Sequence, residues 1–109
     1  MPDNEYMYGW EKMYSAVASL AVGTDSLQQR LANAKMHSLE LIRTPHMPPA
    51  LYARLEDAME RFPETNIAPA DMGTTTASAR RLTDDEAKAI ATEIVSLFNG
   101  QCEAYFLSR

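Results

Sequence analysis

The sequence predicts an all-α protein, a compact four-helix bundle or an orthogonal array of helices, on three observations. Apolar residues recur at intervals of three and four through most of the chain. No run alternates valine, isoleucine and aromatic residues with polar ones, as a half-buried strand would. Glycines, prolines and capping side chains fall between the periodic stretches and divide them into four. With 109 residues, 1–109 reads as one helical domain with no room for two separate cores.

The first helix is expected over 5–22. Tyr6, Trp10, Met13, Val17 and Leu20 form its stripe, widened by Tyr14 and Ala21, with Glu11, Lys12, Ser15 and Ser19 opposite. Trp10 reads as a core anchor against a neighbouring helix. Asp3 or Asn4 can cap the start, and Gly23 can close the end in a left-handed conformation. The second helix is expected over 26–43, with Asp25 and Gln28 as a capping-box variant. Its face is Leu27, Leu31, Ala34, Ser38, Leu41 and Ile42, with Leu39 and Lys35 on the borders. The short connection folds it back on the first helix as an antiparallel hairpin.

The segment TPHMPP, residues 44–49, removes amide donors and reads as an ordered bend. Pro49 suits the first position of a third helix over 49–62, whose apolar side is Leu51, Leu55, Ala58, Met59 and Phe62. Residues 63–82, with Pro69, Gly73 and a run of threonines, read as a long loop. The last helix opens with the strongest boundary signal in the chain: Thr83 as cap, acids at 84–86, and Glu86 completing the box. Its stripe is Ala87, Ile90, Ala91, Ile94, Leu97 and Phe98 over 84–99. Gln101, Cys102 and Tyr105 continue the phase, so the sequence leaves open whether the helix ends at Gly100 or runs to 107.

Composition narrows the function. A hydrophobic fraction of 46% argues against whole-chain disorder. A net charge of -5 is the wrong sign for general nucleic-acid binding, and the one adjacent basic pair, Arg80-Arg81, runs straight into Asp84, Asp85 and Glu86. Cys102 is the only cysteine, which precludes an internal disulfide and fits a reducing, cytoplasmic setting. Met1 to Tyr8 hold two acids and no base, so no secretory leader is expected, and no apolar run is long enough to cross a membrane.

Catalytic chemistry finds little support. His37 and His46 belong to no metal-binding motif, and the pair His37 and Glu40 supplies too few ligands for zinc. Glu56 and Glu60 read as a solvated face, and Cys102, in phase with Phe98 and Tyr105, as a buried small hydrophobe. No metal or other cofactor is expected. The sequence favours a small acidic interaction or regulatory protein, such as an adaptor, subunit or inhibitor, without catalytic activity. Its candidate interface residues are Tyr8, which falls opposite Tyr6 and Trp10, Met36, opposite the second helix's stripe, and the apolar tail Tyr105, Phe106 and Leu107. The partner is a protein or a second copy, with a homodimer slightly favoured. The acidic surface suits basic partners.

Two other functions compete. A ligand-binding domain or small enzyme would line a pocket with Trp10, Tyr14 or Tyr105 and direct His37, Arg30 or Glu40 inward. A helix-turn-helix nucleic-acid reader would cluster Arg30, Lys35, Arg43 and Arg54.

Overall fold

A computed structural model describes residues 2–63 and 74–107. The described residues are all-α, with no strands: α1 Pro2–Val22, α2 Leu27–His37, α3 Pro49–Glu60, α4 Thr74–Arg80 and α5 Asp84–Leu107. Two single 3-10 turns, Leu39–Leu41 and Thr44–His46, lie between α2 and α3. The helices pack as a compact bundle in which α1 lies along α5 and α2, α5 also meets α3 and α2, and α4 packs on α2.

α1 starts at Pro2, three residues before the expected position. Its buried side is Gly9, Met13, Ala16 and Leu20, whereas Tyr6, Trp10 and Val17 lie half-buried on the flank and Tyr14 is 55% exposed. The centre of the buried face is thus rotated away from the large residues and onto the small ones. Small side chains let neighbouring backbone approach, and at Gly9 the approach is extreme. An added Cβ there would lie 2.2 Å from the His46 carbonyl oxygen and 2.7 Å from Gln101 Nε2. Trp10 accordingly anchors a flank and not the core.

The expected left-handed cap at Gly23 does not form; no glycine among the described residues has positive φ. Arg30 performs the closure, donating from its guanidinium to the carbonyl oxygens of Leu20 and Asp25. Gly23 makes room for it, because a Cβ would meet the Arg30 stem at 2.7 and 2.8 Å. The cap of α2 is also one residue later than expected. Ser26 accepts from the Gln29 amide at 3.1 Å, while Gln28 reaches away to the Leu82 carbonyl and the Asp84 carboxylate.

The expected single helix over 26–43 ends at His37. Ser38 leaves helical geometry with φ -137° and ψ -61°, and its buried hydroxyl bonds Ser15 Oγ at 3.0 Å. A 3-10 turn aligns residues three apart. It buries Leu39 and Ile42 together and turns Leu41 outward, the reverse of the expected roles of Leu39 and Leu41. In the TPHMPP bend, His46 Nδ1 accepts from the Arg43 amide at 2.8 Å, Met47 is buried, and Pro49 opens α3 at its first helical position.

Part of the expected loop over 63–82 is helical. α4 has the sequence TTTASAR, and its Ser78 and Ala79 are buried. Such small residues give no apolar stripe to read, but they permit close packing on α2, where Ala32 and Ala34 are fully buried. Ser78 also donates to the Pro63 carbonyl. Ile67 and Met72, the two apolar residues that could pin the expected loop to the body, lie outside the described residues.

α5 begins with the expected reciprocal box: the Thr83 amide donates to Glu86 Oε1 at 2.8 Å, and Thr83 Oγ1 accepts from the Glu86 amide at 3.1 Å. The helix crosses Gly100 and continues to Leu107. Gly100 faces Leu51 of α3, whose methyl groups would stand 3.0 and 3.2 Å from an added Cβ. The α3–α5 contact also carries a bidentate ion pair, Arg54 to Glu93 at 2.9 and 3.0 Å, with Ser96 Oγ accepting a third bond from Arg54.

Candidate functional site

The large side chains that α1 withholds from the core collect on its seam with α5. Trp10 is the hub. Its indole stacks on Tyr14 with centroids 5.6 Å apart and rings 17° from parallel, and meets Phe98, Tyr105 and Phe106 at 6.1 to 6.3 Å. Trp10 Nε1 donates to Cys102 Sγ at 3.3 Å, which places the thiol at the surface of the seam, half-buried, and not within the core. Tyr14 also meets Phe98 at 6.3 Å.

Beyond Phe98 the seam opens into an apolar groove of about 580 Å³, lined by Val17, Leu20 and Ala21 of α1, Leu27 of α2, and Ala91, Thr92, Val95 and Ser96 of α5. Val95 is half exposed on its edge. At the opposite end Phe106 is 51% and Leu107 82% exposed. The α1–α5 face therefore runs as one strip, from Phe106 through the aromatic cluster around Trp10 to an apolar hollow. Its α1 positions Met7, Trp10, Tyr14, Val17, Ala18 and Ala21 carry no formal charge. Glu11 and Glu103 are exposed, and each sits one residue beyond a member of the strip.

The inner side of the same helix pair is the apolar core, closed by a polar contact at its Gly9 end. Gln101 is fully buried, and its Nε2 donates at 2.9 Å to the carbonyl oxygens of Tyr6 and His46, joining α5, α1 and the TPHMPP bend. Its Oε1 is buried without a hydrogen-bond partner. This group fixes the interhelical distance; it faces no groove.

Of the residues proposed from sequence, Tyr105 and Phe106 lie at one end of the strip, the first half-buried and the second exposed, while Leu107 is exposed at the end of α5, half a turn round the helix from Phe98. Tyr8 is apart from it and is not exposed as expected. It is half-buried, its ring 4.3 Å from that of His46 and with Lys12 Nζ 5.3 Å above it, so it packs on the bend. Met36 is half-buried on α2. Sequence reasoning names Tyr14 as a stripe residue and as a pocket-lining candidate of the ligand reading, and it names neither Tyr14 as an exposed interface residue nor Val95 and the groove. Tyr14 had been placed in the buried stripe, and the signal that would have moved it is Gly9, a glycine inside an amphipathic helix that marks where the backbone is approached.

Among the described residues, no group of three or more histidine, cysteine, aspartate or glutamate side chains can hold a metal ion. His37 is exposed, and Glu40 turns to Lys35 at 3.2 Å. Of the groove's two hydroxyls, Thr92 donates to the Lys88 carbonyl and Ser96 accepts from Arg54. The Glu93 carboxyl lies in the α3–α5 ion pair. Its pKa is lowered by the hydrogen bond from Arg54, against partial burial and with help from the guanidinium charge.

No protein-family model matches the chain, and no curated protein or solved structure is significantly similar to it. The α1–α5 face must therefore be read from its own chemistry.

Of the four basic residues that a nucleic-acid reader would cluster, Arg30 caps α1, Lys35 pairs with Glu40, Arg43 donates to the Glu40 carbonyl, and Arg54 pairs with Glu93. No helix of the described residues is long and apolar enough to cross a membrane.

Proposed function

We propose that this protein is a small non-catalytic interaction or regulatory protein, an adaptor, subunit or inhibitor, that works by presenting the α1–α5 face to a protein. One observation carries the reading: the seam between two long helices keeps Tyr14, Val95 and Phe106 in solvent, contiguous with the half-buried aromatics Trp10 and Phe98. Single exposed apolar residues mean nothing, but a continuous patch with charge confined to its rim has the anatomy of a recognition surface. Tyrosine and tryptophan in its middle supply rigid area at small entropic cost.

The competing reading is a small-molecule site, supported by the size of the groove, which lies in the range of ligand pockets. It is weaker because a ligand needs convergent polar groups for orientation, and Thr92 and Ser96 are bonded to the protein itself.

The test is a photoreactive phenylalanine analogue at Tyr14, activated in living cells, with the same group at exposed Glu56 as control. A discrete protein adduct from position 14 and none from 56 is the expected result. No adduct from position 14, together with a small molecule retained by the purified protein in native mass spectrometry, would overturn the interaction reading.

A further inference from the structure

We infer that the protein covering the α1–α5 face presents arginine to it: a segment that lays a guanidinium on the exposed rings of Tyr14 and Phe106, each beside a glutamate, and an apolar side chain in the neighbouring hollow. The inference rests on the proposed interaction role and names the chemistry of its partner. Residues three apart on a helix are surface neighbours, and each of the two exposed rings has a glutamate three residues before it, Glu11 before Tyr14 on α1 and Glu103 before Phe106 on α5. The same pairing thus occurs twice, on different helices. Trp10 joins them, stacked on Tyr14 and edge-on to Phe106, so the two pairs flank one aromatic hub.

Charge decides what such a pair takes. Glu11 and Glu103 are exposed, and the ion pairs of the described residues, Lys35 with Glu40, Arg54 with Glu93 and Arg61 with Asp57, include neither. Elsewhere the chain covers rings with its own cations: Lys12 Nζ stands 5.3 Å from the centre of Tyr8, and Lys35 Nζ 5.3 Å from that of Phe62. Tyr14 meets the rings of Trp10 and Phe98 and keeps more than half of its surface in solvent. A cation over an aromatic face is held by the ring quadrupole, and a carboxylate beside the ring adds its charge. Arginine meets both demands at once, because its weakly hydrated planar guanidinium stacks on the ring while its N–H groups donate to the carboxylate; the ammonium of lysine is a compact, strongly hydrated point charge. A chain of net charge -5 also attracts such a partner and repels a second copy of itself. The hollow fixes the rest of the motif. Its lining begins at Val17, three residues after Tyr14, so a partner helix carries its apolar anchor about one turn, roughly 5 Å, from the arginine over Tyr14.

The experiment is selection of peptides from a random displayed library on the immobilised intact protein, followed by calorimetric titration of the strongest binder into native protein and into variants that keep native helicity. The expected peptides carry arginine one turn from a large apolar residue, and their binding weakens as salt is raised. Glu11→Gln should weaken binding at least about fivefold, as should Tyr14→Leu, which keeps apolar area and removes the π face, and replacement of the peptide arginine by lysine. Tyr14→Phe, which keeps that face, should bind as the native protein does, and Glu56→Gln, an acid off the strip, should change binding less than about twofold. Peptides without arginine that still depend on Tyr14 overturn the inference and leave the interaction role standing. Equal losses from Glu56→Gln and Glu11→Gln overturn it as well, because net charge alone then accounts for the binding. So does a selection with no peptide dependent on Tyr14, and the adduct at position 14 in cells then decides whether the interaction role survives. A native dimer dissolved by Tyr14→Leu puts a second copy on this face and removes the arginine partner.

Discussion

Gly9 and Trp10 are neighbours in sequence, as are Gln101 and Cys102, yet the two contacts they make across α1 and α5 differ in kind. Gly9 and Gln101 meet on the inner side, where backbone and a buried amide leave no room for a methyl group. Trp10 and Cys102 meet on the outer side, where a weak N–H to sulfur bond lies in an aromatic cluster open to solvent. One contact sets how far apart the helices lie, and the other is built on that spacing. The fold depends on the first, and the proposed function on the second.

Substitutions should separate the two. The largest effect is expected from Gly9→Ala, whose added carbon would collide with the His46 carbonyl, itself fixed by the bend; a loss of about 3 kcal/mol in urea unfolding is expected. Gln101→Ala removes both bridging bonds and opens a void, for about 2 kcal/mol, whereas Gln101→Met keeps the volume and discards the unsatisfied oxygen, for about 1 kcal/mol. If Gln101→Met costs as much as Gln101→Ala, the hydrogen bonds and not the packing hold the inner side. Thr83→Ala, remote from both sides, should cost about 1 kcal/mol through loss of the α5 cap.

Smaller effects sharpen the contrast. Glu93→Gln removes an ion pair whose carboxyl has a lowered pKa in the folded protein. Such a group stabilises above its unfolded pKa, about 4.3, and the gain is lost as pH falls through the folded value. The stability difference between native protein and Glu93→Gln should therefore be constant near neutrality and vanish in acid. Tyr14→Glu should change unfolding by less than about 0.5 kcal/mol, because the ring is more than half exposed, while abolishing association. A large loss of stability on that substitution would mean that the outer cluster also belongs to the fold.

The helical class, the Pro49 start of α3 and the Thr83–Glu86 box were legible because periodicity and capping are local properties. The rest depended on what approaches from elsewhere. α1 was read with its large residues inward, but Gly9 and Ala16 face the closest neighbours, and bulk was displaced to the flank. α4 was read as loop because threonine, serine and alanine make no stripe, although the same small size lets it lie against α2. The break at Ser38 needs Ser15, from another helix, to receive its hydroxyl. Of the candidate site, the tail 105–107 was legible as surplus apolar mass at the end of a helix. Tyr14 and the groove were not, since both follow from the rotation of α1 that Gly9 imposes.

Trp10 is the only tryptophan in the chain. Its indole lies half-buried in the outer cluster, bonded to the thiol of Cys102 and stacked on the most central exposed ring of the strip. The protein therefore contains one indole fluorophore, excited selectively beyond the tyrosine absorption and positioned where water would be expelled if the face were covered. Its emission wavelength and accessibility to a soluble quencher read occupancy of that face directly, in unlabelled protein, while the buried Gln101 side stays optically silent.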